Sequence, residues 1–502
     1  MRTACWTCRS RTIQCDQSRT PCAKCEKAGL ECFDKRPLRW VKGAAIRGKM
    51  RGQVLGGDAK TSDKRQRVSR PYTKSLVINI TPSFALPDPR IHDLDWSSRF
   101  YLDYYNARIA KLFILYDSES NPFRALLTYA MDNPMLRKCI IAVAARHFAN
   151  TGQSFDQTEH VLCPRFVNAN LDALRYKKQT IRTLSLSLSR LGTSQKDEIL
   201  ATILLLIFLN LLESGMEEWK YHSHGAEGFA NISRSLLAAG VGENASSDTR
   251  DTADETRRFV AQQFLLVSTI GGALSDAKSS PGSCFELDEI KHQESIIRSF
   301  LGCPGFLLGA IRFFSNQRHM IKNLHLHDDV LIDEHVKDTL TMLELTRNFD
   351  CLEWALTFAH SIIPSTGDIQ KLFSLSQAYK IATLLYGNRV LRALRASTGT
   401  IAFETTDLLS QLINVIDSLK CDSAFFKCLL WPSFIAGLEC QSHNEQKLVT
   451  GFLKMLWKLT SCLNVITASK ILHEYWRQKQ RDGKLAMENS ELHVIEQGWL
   501  LI

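Results

Sequence analysis

The stretch CWTCRSRTIQCDQSRTPCAKCEKAGLEC, residues 5–32, contains six of the 15 cysteines in the chain. Their spacing is C-x2-C-x6-C-x6-C-x2-C-x6-C, so the unit C-x2-C-x6-C occurs twice. Structural zinc is held by four tetrahedral ligands, most often thiolates. Two zinc ions need eight ligand positions, which six sulfurs fill only if two of them bridge. The spacing therefore predicts a two-zinc cluster with six ligands: Cys5, Cys8, Cys15, Cys22, Cys25 and Cys32.

Basic side chains surround these cysteines. Two zinc ions and six thiolates carry a formal charge of −2, and neighbouring cations can offset it and give salt-dependent affinity for DNA phosphates. A module of about 30 residues cannot bury enough apolar surface to fold alone. We therefore expect it to be unfolded without zinc. The basic residues are Arg2, Arg9, Arg11, Arg19, Lys24 and Lys27.

Other uses of the cysteines are disfavoured. A disulfide framework is typical of secreted chains, and the opening MRTACWTCRSR has no apolar signal region. A redox C-x-x-C pair is expected beside a βαβ pattern, which does not follow. The other nine cysteines are scattered through apolar segments, which predicts buried free thiols.

The stretch resembles the fungal Zn₂Cys₆ binuclear cluster, the DNA-binding module of a family of fungal transcription regulators. The resemblance implies that Cys5 and Cys22 bridge the metals, that Cys8 and Cys15 complete one zinc site, and that the last two cysteines complete the other. Each half is expected to hold a short helix between its second and third cysteines. The helix near residues 6–14 is expected in the major groove.

The same resemblance implies the DNA contacts. Family members usually carry two adjacent basic residues where this chain has Arg11 and Thr12, and a basic residue where it has Gln14. Arginine can pair bidentately with guanine, so Arg11 is the expected base reader, with Thr12 beside it. The resemblance implies the family's usual CGG triplet as the DNA site. The expected phosphate contacts are Arg9, Lys24 and Lys27.

Positive charge is concentrated at the N-terminus. Residues 1–74 carry a net charge of +13 and the remainder −3. We expect a zinc domain at 1–37, a disordered basic linker at 38–89 and a regulatory domain at 90–502. The linker includes a candidate nuclear localisation signal, and we therefore expect the protein to be nuclear. It has no heptad pattern, so a monomer and a homodimer formed through the large domain both remain open. The signal residues are Lys64, Arg65 and Arg67.

The large domain has helical apolar periodicity and no alternating strand pattern, which predicts an all-α fold. The segments FYLDYYN, CIIAVAARHFAN and WKYHSHGAEG resemble the second type of fungal-specific transcription factor domain, in the branch that contains acriflavine-sensitivity-control-like regulators. The resemblance implies a regulatory role, with the transcription machinery and a small-molecule effector as partners. Predicted helices include 94–115, 123–148 with a break near Pro134, 175–191, 199–212, 217–237 and 426–440.

These features favour a zinc-dependent, sequence-specific DNA-binding regulator of RNA polymerase II transcription. The alternative is a nuclear scaffold whose cluster binds partners and no longer reads DNA. An enzyme is disfavoured because the chain has no G-x-S-x-G, P-loop or G-x-G-x-x-G motif. A metal site from Glu213, His222 and His224 is disfavoured because helix positions i and i+2 face apart. The apolar run 199–212 is too short to span a membrane, and none is expected as a partner.

Overall fold

The chain divides into two compact units, Met1–Ser83 and Phe84–Ile502. The predicted linker and its localisation residues Lys64, Arg65 and Arg67 lie outside the part of the chain that the structure describes. The computed structural model describes residues 4–17, 19–34, 94–118, 121–156, 163–189, 196–216, 221, 259–260, 262–264, 266–274, 301–323, 329–362, 366–394, 399–482 and 499–501.

The first unit contains two short helices, α1 (Trp6–Ser10) and α2 (Ala23–Lys27). Each helix begins directly after the first cysteine of its half and includes the second one. The predicted helix near residues 6–14 is therefore confirmed at its start and ends earlier, at Ser10, whereas the general placement between the second and third cysteines is wrong. The reason is that the sulfur of the first cysteine caps the helix at its N-terminus, as described below.

The second unit is built from helices. The described residues contain no strand, which confirms the all-α prediction. A π-helical turn, Tyr105–Ile109, joins α3 to α4, and the described residues within 259–272 are also helical. The helices are α3 (Trp96–Tyr104), α4 (Ala110–Leu112), α5 (Pro122–Asp132), α6 (Pro134–Asn150), α7 (Pro164–Ser189), α8 (Lys196–Glu213), α9 (Gly305–Asn323), α10 (Asp329–Asn348), α11 (Cys351–Ile362), α12 (Thr366–Leu394), α13 (Gly399–Leu419), α14 (Ser423–Phe426), α15 (Leu430–Glu439), α16 (His443–Thr460) and α17 (Leu463–Asp482).

Two of these helices begin with the same local signal. The side chains of Asn121 and Asn133 accept hydrogen bonds from backbone N–H groups in the first turns of α5 and α6. Pro122 and Pro134 follow them at the first helical position, where a missing N–H costs no intrahelical bond. The predicted break near Pro134 is therefore confirmed.

Helices α6 and α8 are largely buried within the second unit. α6 packs against α3, α5, α7 and α8, and every residue from 199 to 212 in α8 is buried. The prediction of a core helix in this apolar run is confirmed. None of the described helices combines the length and the apolar character needed to cross a bilayer.

Two of the predicted helices differ from the structure by more than a few residues. α7 begins eleven residues before the predicted start. The prediction missed this first part because the buried residues there, Ala169 and Ala173, are small and give a weak apolar signal in the sequence. The predicted helix 426–440 is interrupted between α14 and α15. At the interruption, Lys427 Nζ donates to the carbonyl oxygens of Lys111 and Ile114 at 2.6 Å each. The predicted helix 217–237 lies outside the described residues apart from Tyr221.

Candidate metal centre and nucleic-acid interface

The six N-terminal cysteines converge on one point of the first unit. Five of them are buried and Cys32 is half-buried. Cys5 Sγ lies 3.9 Å from Cys22 Sγ, 3.8 Å from Cys25 Sγ and 3.9 Å from Cys15 Sγ. Cys8 Sγ lies 3.6 Å from Cys22 Sγ and 3.8 Å from Cys25 Sγ. These separations are far beyond a disulfide bond, which is about 2.0 Å long.

The sulfurs form two sets of four that share Cys5 and Cys22. One set adds Cys8 and Cys15, and the other adds Cys25 and Cys32; within each set all sulfurs lie within 4.8 Å of one another. A zinc–sulfur bond of about 2.3 Å gives a tetrahedron with edges of about 3.8 Å. The observed sulfur separations match that edge. The donor set therefore fits two zinc ions.

In each half, the first cysteine caps the N-terminus of a helix, and this fixes the position of its sulfur. The backbone N–H of Cys8 donates to Cys5 Sγ, and that of Cys25 donates to Cys22 Sγ, both at 3.4 Å. These bonds lower the pKa of the Cys5 and Cys22 thiols. Burial instead raises the pKa of the Cys8 thiol to about 12. The two shared sulfurs are thus more readily ionised than Cys8 Sγ. This favours metal binding, because a cysteine binds zinc as the thiolate.

The two halves repeat each other in backbone detail with an offset of 17 residues. In the first half, the N–H of Thr12 donates to Arg9 O at 3.1 Å and that of Ile13 to Cys8 O at 3.2 Å. In the second half, the corresponding donors are Gly29 and Leu30, which donate to Glu26 O at 3.1 Å and Cys25 O at 3.0 Å.

This repeated turn places its central residue in the left-handed region. Thr12 has φ 55° and Gly29 has φ 63°. Glycine adopts this conformation without steric cost, whereas a β-branched threonine does not. The second half therefore has the residue that the turn favours, and the first half has a strained one beside the predicted base reader.

Thr7 joins the two halves, and sequence reasoning did not single it out. Its hydroxyl donates to Glu31 O at 2.7 Å and accepts from the N–H of Phe33 at 3.1 Å. The N–H of Trp6 also donates to Phe33 O at 2.6 Å. These bonds attach α1 to the segment 31–33 at the end of the second half. Thr7 has no counterpart in the second half, where Lys24 stands at the equivalent position, so the sequence repeat gave no signal for it.

The predicted DNA contacts lie on the surface of the module. Arg11 and Thr12 are exposed directly after the last residue of α1, and Lys24 and Lys27 are exposed on α2. Arg9 is also exposed, and its guanidinium donates to the carbonyl oxygen of Asp34 at 3.4 Å.

One basic residue of the module is offset by an acid. Arg19 forms an ion pair with Glu26, and both side chains are more than half exposed. Asp16 has a structural contact, since its carboxylate accepts from the N–H of Ala23 at 3.2 Å at the start of α2. Among the described residues of the module, the positive charge without an ion pair therefore lies on Arg9, Arg11, Lys24 and Lys27 rather than on Arg19.

The other predicted features belong to the second unit. Glu213 pairs with Lys177 at 2.6 Å, while His222 and His224 lie outside the described residues. Most described cysteines of the second unit are buried, as predicted, but Cys421 is exposed and Cys163 is half-buried.

Among the polar networks buried between helices of the second unit are one around Glu439 and one around His147. Glu439 accepts from Arg389 at 3.0 Å and from Arg392 at 2.9 Å. Burial alone would raise the pKa of Glu439, but the two guanidinium groups lower it below its usual value. This network ties α12 to α15.

A buried histidine forms the second network. The Nδ1 atom of His147 lies 2.8 Å from the Tyr104 hydroxyl, and Nε2 lies 3.0 Å from Thr460 O. Because a carbonyl only accepts, Nε2 carries the proton and Nδ1 accepts from Tyr104. Burial lowers the pKa of His147 to about 4, so the ring is neutral and joins α3, α6 and α16.

Comparison with known proteins identifies both units. Residues 3–40 match the fungal Zn(2)-Cys(6) binuclear cluster domain, a module that binds two zinc ions. Residues 100–500 match the fungal specific transcription factor domain. The pairing of a two-zinc module with this helical domain defines a class of fungal transcription regulators. Because the second match covers well over half of the chain, the protein belongs to that family, and the resemblance in the sequence is confirmed.

Two relatives from Neurospora crassa extend the comparison. The chain is 23% identical over 410 residues to the acriflavine sensitivity control protein acr-2, a match that covers 78% of this chain and 64% of that protein. It is 33% identical over 101 residues to the transcriptional regulatory protein pro1, which covers 20% of this chain and 13% of that protein. The chain thus spans less than two thirds of the length of these relatives. No solved structure matches it significantly.

Proposed function

We propose that this protein is a zinc-dependent, sequence-specific DNA-binding regulator of RNA polymerase II transcription, acts in the nucleus and has no catalytic activity. The observation that carries the proposal is the pair of four-sulfur sets that share Cys5 and Cys22. A donor set of this kind folds a small basic module, and the basic side chains lie exposed around it. Family membership supports the same role.

The ligand roles follow from the two sets of sulfurs. Cys5 and Cys22 would bridge the metals, Cys8 and Cys15 would complete one site, and the last two cysteines, Cys25 and Cys32, would complete the other. Bound zinc supplies the folding free energy that the small apolar content of this module cannot provide. The chain itself contributes the two sulfur-capped helices and the Thr7 hydrogen bonds, which fix α1 relative to the second half.

The DNA roles follow from exposure and chemistry. Arg11 would read a guanine of a CGG-like triplet through its O6 and N7 atoms. Thr12 would contact the neighbouring base. The positions of Arg9, Lys24 and Lys27 suit phosphate contacts, which add affinity without sequence preference.

The remaining roles concern the linker and the helical body. Lys64, Arg65 and Arg67 would serve as the nuclear localisation signal. The helical body would supply regulation through the transcription machinery, a small-molecule effector or a homodimer. Acriflavine sensitivity control and transcriptional regulation are the roles that the names of the two relatives record, and both agree with a regulator.

The test is site selection with the full-length, zinc-loaded protein and a random duplex library. We expect one enriched CGG-like triplet for a monomer, or two triplets at fixed spacing for a homodimer. Arg11→Ala should abolish the site preference while two zinc ions per chain are retained. Lys27→Ala is the matched control, which should weaken binding to all sequences and lower the salt dependence of binding.

Two results would count against the proposal. If the folded, two-zinc protein enriches no sequence, the module acts in partner binding, as a scaffold regulator. If Arg11→Ala keeps the wild-type site preference, the base reader is a different residue. The zinc content of each variant, measured by atomic absorption, separates both results from a simple failure to fold.

A further inference from the structure

Helix α7 has partners on three of its sides. It packs on α6, and its buried residues are small or short on that face, such as Ala169 and Ala173. Toward α3, Asp172 accepts a hydrogen bond from the Tyr101 hydroxyl at 3.1 Å. Toward α8, Lys177 pairs with Glu213 at 2.6 Å. The helix is therefore firmly fixed in the body of the second unit.

The fourth side of α7 exposes an apolar stripe. Its residues follow one another at alternating steps of four and three positions, from residue 167 to residue 188. Two of them, Lys178 and Ser185, are polar, and the others are apolar. At about 100° per residue, this set covers about 100° of the helix surface. Alternation by four and three is the spacing of a seam between packed helices. The apolar members are 36–59% exposed and form the α7 stripe: Val167, Leu171, Leu174, Ile181 and Leu188.

The charge of α7 indicates which kind of helix fits this seam. The helix carries five basic residues and one acidic residue. The single acid, Asp172, already pairs with Arg175 at 2.9 Å. Among the described residues, Lys178 within the stripe and Arg182 beside it have no carboxylate partner. A second copy of α7 would bring these cations against like charges, whereas an acidic helix would supply carboxylates.

We propose that the α7 stripe is a docking surface for an acidic amphipathic helix of another protein. The occupant would place leucine-like side chains between those of the stripe and glutamates opposite Lys178 and Arg182. This is the mode in which an amphipathic helix is recognised through anchors at i, i+3, i+4 and i+7. The surface belongs wholly to the second unit, so the proposal does not depend on DNA reading by the zinc module.

The test uses full-length protein and two labelled 22-residue helical peptides. Both peptides carry leucines at the four-three spacing; one has glutamates beside them and the other has lysines. In fluorescence anisotropy, we expect the glutamate peptide to bind at least tenfold more tightly, with the difference reduced at high salt. Changing Leu171 and Leu174 to serine should weaken that binding at least tenfold. Leu186→Ser is the matched control, because Leu186 is 51% exposed on the same helix but lies off the stripe.

A charge reversal gives an independent variant. Arg182→Glu should weaken binding of the glutamate peptide and strengthen binding of the lysine peptide. The helical circular dichroism of the protein should be unchanged. The proposal is wrong if neither peptide binds, if both bind equally, or if Leu186→Ser reduces binding as much as the stripe change does. It is also wrong if light scattering shows a dimer that the Leu174→Ser change dissociates, since a second copy would then cover the stripe.

Discussion

The zinc module and the helical body bury different kinds of side chain. In the module, the buried cluster consists of five cysteines with Ala4 and Cys32 packed against it. In the body, the core contains large aromatic side chains that are fully buried, among them Tyr104, Phe208 and Trp431. One unit therefore requires a ligand to hold its centre together, while the other is stabilised by removing apolar surface from water.

This difference in the buried centre determines which surfaces each unit can offer to a partner. A centre made of metal ligands leaves nearly all other side chains of a small module on the surface, where they can contact DNA. A core made of apolar side chains fixes many helices at once and leaves selected faces, such as the α7 stripe, for partners. Changes that act on one unit should therefore leave the other folded.

Zinc removal should produce the largest effect. A structural zinc contributes roughly 10–16 kcal/mol to the folding of small zinc modules, so a strong chelator should unfold residues 4–34. Hydrogen exchange should show lost protection in peptides that contain α1 and α2, and unchanged protection in α6 and α8. Cys22→Ser should lower the zinc content, whereas the matched change Cys440→Ser in the helical body should retain two zinc ions per chain. Loss of protection in α8 after chelation would contradict the independence of the units.

A buried ion pair should produce the next largest effect, confined to the helical body. Glu439→Gln leaves the buried guanidinium of Arg389 without its counter-charge, and breaking a buried pair in this way costs about 3–5 kcal/mol. The urea midpoint of the helical signal should fall accordingly, with zinc content unchanged. The control is Glu344→Gln, since Glu344 and Arg347 are exposed and such pairs contribute less than about 1 kcal/mol. Equal shifts for the two variants would show that the buried pair has no special role.

The sequence predicted the zinc module more completely than the helical body. Cysteine spacing specifies chemistry directly, because few sites other than a two-zinc cluster use six thiols in this pattern. It did not give the end of α1 or the position of α2, since the caps are sulfur atoms, which do not appear among the usual capping residues. It also missed Thr7, whose role depends on contacts 24 to 26 residues away along the chain.

In the body, local signals worked where proline and asparagine marked a helix start, as at Asn133 and Pro134. They failed where burial involves small residues, as on the α6-facing side of α7. They also failed where a long-range contact interrupts a helix, as at Lys427. Tertiary contacts of this kind leave no periodic pattern in the sequence.

Acidification should act on the body through His147. The folded pKa is about 4, whereas an unfolded histidine has a pKa of about 6.5. Between these values the unfolded chain binds a proton that the folded chain does not, so stability falls as the pH drops from about 6.5 to about 4. The loss should approach about 3 kcal/mol. Urea unfolding across this range should show a smaller slope in His147→Gln, while the exposed control His443→Gln keeps the wild-type slope.

The smallest expected effect concerns the turn that occurs once in each half of the module. Thr12→Gly removes a left-handed β-branched residue and should stabilise the zinc-bound module by about 1 kcal/mol, which corresponds to roughly fivefold tighter zinc binding. Gly29→Thr is the matched reverse change, since a Cβ at Gly29 meets no atom within 4 Å and only the backbone cost applies. Zinc affinity measured by competition with a chelator should therefore move in opposite directions for the two variants. If Thr12→Gly tightens zinc binding and also alters the DNA site preference, then Thr12 is retained for base contact at a cost in stability; if the site preference is unchanged, Arg11 reads DNA without it.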